Sequence, residues 1–113
     1  VESSNFTRDL PGYLTDGDYA RLQQRLRATP LAGTVMPGCG GLRKLRASDP
    51  RRGKGRRGGL RIIYFVVPEV DRVYLLDLYD KDEADDLTAE QRRRLAALAT
   101  RLRESAVKRD PRR

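Results

Sequence analysis

The sequence predicts an α+β domain, an antiparallel sheet flanked by helices, and three observations predict it. Apolar residues recur at three- and four-residue steps toward both ends of the chain. The middle switches to alternation and to a continuous β-branched run. Turn-forming Pro and Gly punctuate those middle segments. With 113 residues, 38% of them hydrophobic and 35% charged, the chain reads as one domain with a modest core drawn from a few segments: residues 60–67, residues 73–79 and the C-terminal leucines.

Residues 1–3 read as the end of a strand. Phe6, Leu10 and Leu14 are spaced for a helix, but Pro11 and Gly12 interrupt it, so that helix is short or kinked. Thr15 offers an N-cap with Asp18 three residues on, opening a helix that puts Tyr19, Leu22 and Leu26 on one face and ends near Pro30. "TPLAGTVMPGCGG" has the Pro and Gly content of a loop. From Leu42 the period becomes two: Leu45 and Ala47 point one way, Lys44 and Arg46 the other, as in a strand with one buried face. Residues 48–59 form a wide basic loop. Residues 60–67 read as a central strand whose one charged member is Arg61. "PEVD" turns the chain into a strand over residues 72–79, completing a three-stranded antiparallel meander. Thr88 and Gln91 then form a capping box for a helix carrying Leu95, Leu98 and Leu102. The ending "VKRDPRR" reads as frayed, which sets the domain at residues 1–107 and a flexible basic tail at 108–113.

Absences narrow the chemistry. Cys39 is alone, so there is no internal disulfide and no thiolate zinc cluster. There is no histidine, which removes Ser-His and Cys-His nucleophile pairs, His-ligated metals and the paired histidines of many ribonucleases. An enzyme of this sequence would work with Lys, Arg, Tyr and carboxylates. No apolar span reaches the ~18 residues of a transmembrane helix. With no secretory signal visible and one cysteine, the expected location is the cytoplasm. The acidic cluster Asp80, Asp82, Glu83, Asp85 and Asp86 lacks an EF-hand glycine and holds Lys81 in its midst, so it reads as partners of a helix dipole and not as a metal site. "GKGRRGG" lacks P-loop spacing. No cofactor is expected.

Charge is concentrated. "GGLRKLRASDPRRGKGRRGGLRIIY", residues 40–64, holds nine Lys or Arg and one acid, Asp49; its excess of eight equals that of the whole chain, which has 24 basic and 16 acidic side chains. A basic loop that merely solvates a hairpin is the bland alternative. Against it, Lys44, Arg46 and Arg61 sit inside strands, and the loop contributes glycines whose amides approach an anion closely. A polyanion is the expected partner. Neither a helix-turn-helix nor a zinc module for DNA is present, so RNA fits better. Such cations are adhesive or catalytic. Attack by a 2′-hydroxyl builds negative charge on a five-coordinate phosphorus, which fixed guanidinium and ammonium groups stabilise more than the ground state. Like charges also lower the pKa of neighbouring lysines, which suits one of them to proton transfer.

"GCGGLRKLRASDPRRGKGRRGGLRIIYFV", followed by "YLLDLYDKDEADDLTAEQ", resembles the HigB-like branch of the RelE/ParE superfamily, toxins of bacterial type II toxin–antitoxin operons. The resemblance runs over about residues 1–102, with "LTDGDYARLQQRL" and "TPLAGTVMPG" at the family's expected places. It implies a ribosome-dependent mRNA endonuclease that enters the decoding site of the small subunit, cuts mRNA and inhibits translation. It also implies a cognate antitoxin, usually with a helix-turn-helix, and no membrane partner. The implied fold is a curved antiparallel sheet with two N-terminal helices packed on one side and a C-terminal helix, the basic residues lining the concave face. Carried over by position, the cleavage set is Lys54, Arg61 and Lys81, with Lys44, Arg46 and Tyr79 nearby, and Arg43, Arg51, Arg52, Arg56 and Arg57 as further RNA contacts.

In that scheme Arg61 grips the scissile phosphate with its planar fork, and Lys54 or Lys81 moves a proton. Tyr79, a strand-end aromatic, reads as core before it reads as a base-stacking platform. Departures from the family pattern are Leu87, where the RelE branch carries a tyrosine, Ala47, where many relatives are bulkier, and a start that falls inside the first strand, suggesting a trimmed N-terminus. Two other readings stay open. One is a gyrase poison like the ParE branch, which generally lacks a basic concave face; the other is a non-catalytic nucleic-acid-binding accessory.

Overall fold

The computed structural model describes residues 1–47, 59–81 and 87–109. In chain order these form helix α1 (Ser4–Asp9), a 3-10 turn (Leu10–Gly12), helix α2 (Asp16–Ala28), strand β1 (Thr34–Val35), strand β2 (Arg43–Ala47), strand β3 (Leu60–Val67), a second 3-10 turn (Pro68–Val70), strand β4 (Arg72–Asp80) and helix α3 (Ala89–Lys108). The strands make one antiparallel sheet in the order β1-β2-β3-β4. The class is α+β.

Local chemistry explains each helix boundary. The Ser3 hydroxyl accepts from the Phe6 amide to start α1, and the Pro11–Gly12 pair tightens its end into the 3-10 turn. Thr15 caps α2 through the Asp18 amide, with Asp16 and Asp18 facing the positive end of the helix dipole. Both halves of the Thr88–Gln91 capping box are formed at the start of α3. That helix runs to Lys108 and buries Ala106, so the first residues of "VKRDPRR", Val107 and Lys108, are helical. Residues 110–113 lie outside the described residues.

β3 is buried because both of its faces are covered. Leu60, Ile62 and Tyr64 pack with Leu45 against Phe6 of α1 and Leu22 and Leu26 of α2. Ile63, Phe65 and Val67 pack on the other face with Leu42 against α3, where Ala99 and Ala106 let the helix approach closely. The pairs Ile63–Asp77 and Tyr64–Leu75 leave Leu76 as an extra residue in β4, a β-bulge. The bulge shifts the alternation, so that Leu75 and Leu78, three apart, share the α1–α2 face while Tyr74, Leu76 and Tyr79 share the α3 face.

One segment differs from expectation. The Pro- and Gly-rich run after α2 reads as loop throughout, yet Thr34 and Val35 pair with Lys44 and Arg43 as β1. Pairing imposes that strand, since nothing in the local spacing encodes it. Ahead of α1, residues 1–3 lie parallel to β4: Leu75 N donates to Val1 O at 2.7 Å and Ser3 N to Leu75 O at 2.9 Å. Between β1 and β2, Gly38, Gly40 and Gly41 take positive φ, and Arg103 of α3 donates to the Gly40 carbonyl at 3.1 Å while its guanidinium lies over the Phe65 ring. The approach to β1 is latched by Tyr64, whose hydroxyl donates to Pro30 O and accepts from Gly33 N.

Candidate functional site

A basic open cleft of about 660 Å³ lies where β1 ends and β2 continues. Its described lining residues include six cations, Arg25, Lys44, Arg46, Arg61, Lys81 and Arg92, and no carboxylate. They come from α2, β2, β3, the end of β4 and α3. Lys44 and Arg46 project from the α3 face of β2, as their alternation with buried Leu45 predicts.

Arg61 is the most enclosed of these cations, 7% exposed. It lies directly opposite Arg46 in the β2–β3 register. Two guanidinium groups facing each other across the β2–β3 pair concentrate positive charge on this wall of the cleft. Lys81 follows β4 at once, and its amide donates to Gly59 O at 2.6 Å, tying the end of β4 to the entry of β3. The cleft's other wall is apolar, with Val35, Met36 and Pro37.

The sequence-predicted residues therefore sort in three ways. Lys44, Arg46, Arg61 and Lys81 come together in one cleft. Tyr79 does not line it: this residue is 9% exposed, opposite Arg61 in the β3–β4 register, with its ring in the α3-side core beside Leu87. Arg43 is directed elsewhere as well. Its Nη1 donates to Gly33 O at 2.8 Å and Leu31 O at 3.3 Å, so this guanidinium holds the approach to β1, and Arg43 is not among the residues that line the cleft. Lys54, Arg51, Arg52, Arg56 and Arg57 lie outside the described residues, as do Asp82, Glu83, Asp85 and Asp86.

No family model matches the chain.

Sequence reasoning missed two of the six cations. Arg25 sits on α2 among other exposed arginines, and Arg92 in a run of three; only the packing of both helices against the sheet turns these two toward the cleft. Arg25 Nη1 donates to the Arg46 carbonyl at 3.1 Å, which joins α2 to the outer side of β2.

Several perturbed titratable groups belong to the packing of the opposite face. Hydrogen bonds from the Tyr19 and Thr7 hydroxyls hold the Glu2 carboxyl below its usual range. Burial, and then the Glu2 acceptor, push the Tyr19 phenol up. Burial also raises the Asp77 carboxyl, against a hydrogen bond from the Leu78 amide.

Proposed function

We propose that the chain is a toxin of a type II toxin–antitoxin system, a HigB-like, ribosome-dependent mRNA endonuclease whose sheet is the curved sheet of the RelE/ParE superfamily. The observation that carries this reading is the cleft: six cations from several elements, no carboxylate among its described lining residues, and Arg61 enclosed opposite Arg46. A cleft of this sign concentrates phosphates and is suited to bind them with release of counterions.

The chemistry follows from the residues. The mRNA 2′-hydroxyl oxygen attacks the adjacent phosphorus, the bond to the 5′ oxygen breaks, and a 2′,3′-cyclic phosphate and a 5′-hydroxyl result. Arg61 holds two non-bridging oxygens with its fork, and Arg46 and Lys44 add charge stabilisation as the phosphorus becomes five-coordinate. Lys81, with Lys54 by resemblance, takes the 2′-hydroxyl proton or returns one to the leaving oxygen. A cognate antitoxin holds the protein inactive in the cytoplasm between episodes of translation arrest.

The test is primer extension on translated mRNA after induction. In-frame cuts that vanish when translation is blocked, and that Arg61→Ala abolishes, support the nuclease. Growth arrest without cuts but with broken DNA would replace it with a gyrase poison, and RNA binding with neither would leave an accessory protein.

A further inference from the structure

We infer that the cleft contains a second nucleotide subsite at the open edge of the sheet, in which Arg25 takes a phosphate flanking the scissile one and an apolar shelf at Val35 and Pro37 takes the adjoining nucleoside. The inference rests on the nuclease reading in that its ligand is single-stranded RNA.

The geometry begins at the edge of β2. β1 pairs only with Arg43 and Lys44, so it does not cover the outer side of the strand at Arg46. The Arg46 carbonyl there is met by Arg25. That bond commits one of the five guanidinium donors and anchors the charge at the edge, leaving other donors for a ligand. Arg61 lies one strand inward of β2, and the anchored guanidinium lies outside it. Two inter-strand spacings, roughly 10 Å, separate the Arg61 backbone from the anchored guanidinium of Arg25. Successive phosphates of one RNA strand can meet the two.

The shelf supplies the other half. Val35 is 49% exposed, and it lines the same cleft beside Pro37. An exposed apolar side chain in the same cleft as an anchored cation matches the two parts of a nucleotide, a base or sugar face and its phosphate. Leu45, on the α2 side of β2, and Lys44 and Arg46, on the α3 side, line one continuous cleft. A bound strand would thus leave Arg61 and bend over the sheet edge to Arg25.

The experiment measures binding of a 2′-O-methyl oligoribonucleotide, which lacks the attacking hydroxyl, by fluorescence anisotropy over a salt series. Each lost phosphate contact on a single strand lowers the slope of log K against log salt by about 0.7. Arg25→Ala and Arg25→Gln should both lose about that much; the glutamine keeps a donor for the Arg46 carbonyl without the charge. Arg21→Ala, an exposed α2 arginine paired with Asp18, should leave the slope unchanged. Val35→Ser should weaken binding several-fold with the slope intact. If Arg61→Ala lowers the slope while both Arg25 variants keep it, Arg25 only caps the sheet edge and the subsite is refuted. If the unaltered protein shows no salt-dependent binding, or Arg61→Ala leaves it unchanged, the cleft reading itself fails.

Discussion

Replacing Tyr64 by Phe removes one oxygen from a residue that is 0% exposed, and the structure sets the size of the loss. The hydroxyl donates to Pro30 O at 2.7 Å and accepts from Gly33 N at 2.8 Å. Gly33 is itself buried, and a Cβ there would meet the Tyr64 ring at 2.7 Å, so little room exists for water to replace the oxygen. A net hydrogen bond contributes about 0.5–1.5 kcal/mol, and a buried group left unsatisfied costs about 1–3 kcal/mol. The expected destabilisation is therefore about 2–4 kcal/mol. With an m-value of about 2 kcal/mol per molar urea, the middle of the usual range, the midpoint of a urea melt followed by circular dichroism should fall by about 1–2 M with m unchanged. A midpoint within about 0.3 M of the unaltered protein would refute the latch. The salt slope of oligonucleotide binding should survive in this variant, because no phosphate contact is removed.

Arg61→Ala should lower the rate of mRNA cutting by at least about 10²–10³, the loss seen when one preorganised charge-stabilising group is removed, as measured by timed primer extension. Asp77→Asn should raise stability at neutral pH. Burial lifts the folded-state carboxyl above its unfolded value, so the folded protein with Asp77 loses stability as pH rises through that lifted value. The advantage of the Asp77→Asn variant in thermal melts should be greatest above the lifted pKa and vanish below the usual carboxylate range, at about pH 3. Thr88→Ala removes the hydroxyl that accepts from Gln91 N at 3.1 Å and should cost about 1 kcal/mol in the same melts.

The parts of the fold that are legible in the sequence are those whose causes are local. Thr15 and Thr88 announce their helices because capping needs only neighbouring amides, and the alternation of Lys44, Leu45, Arg46 and Ala47 assigns faces because a strand has period two. Lys44 and Arg46 can thus be placed on one side of a strand from their spacing alone. β1 is not legible, because it extends only by pairing with a strand eight or more residues on. Tyr79 reads as core and is core, whereas nothing in "LRKLR" reveals that the carbonyls of Leu31 and Gly33 lie within reach of Arg43. Arg25 and Arg92 are illegible for a related reason: helices α2 and α3 each carry several arginines, and the angle of docking selects the ones that meet the cleft.

The additional residue at Leu76 makes the length of β4 a functional quantity. Because the two ends of that strand obey opposite parities, straightening the bulge with no residue removed would shift every residue after Leu76 by one pairing position and swap inside for outside along the last pleats. Tyr79 would be driven toward α1, and the ammonium of Lys81 would swing off the rim that faces Arg61. Spacing, more than side-chain identity, keeps that lysine on station.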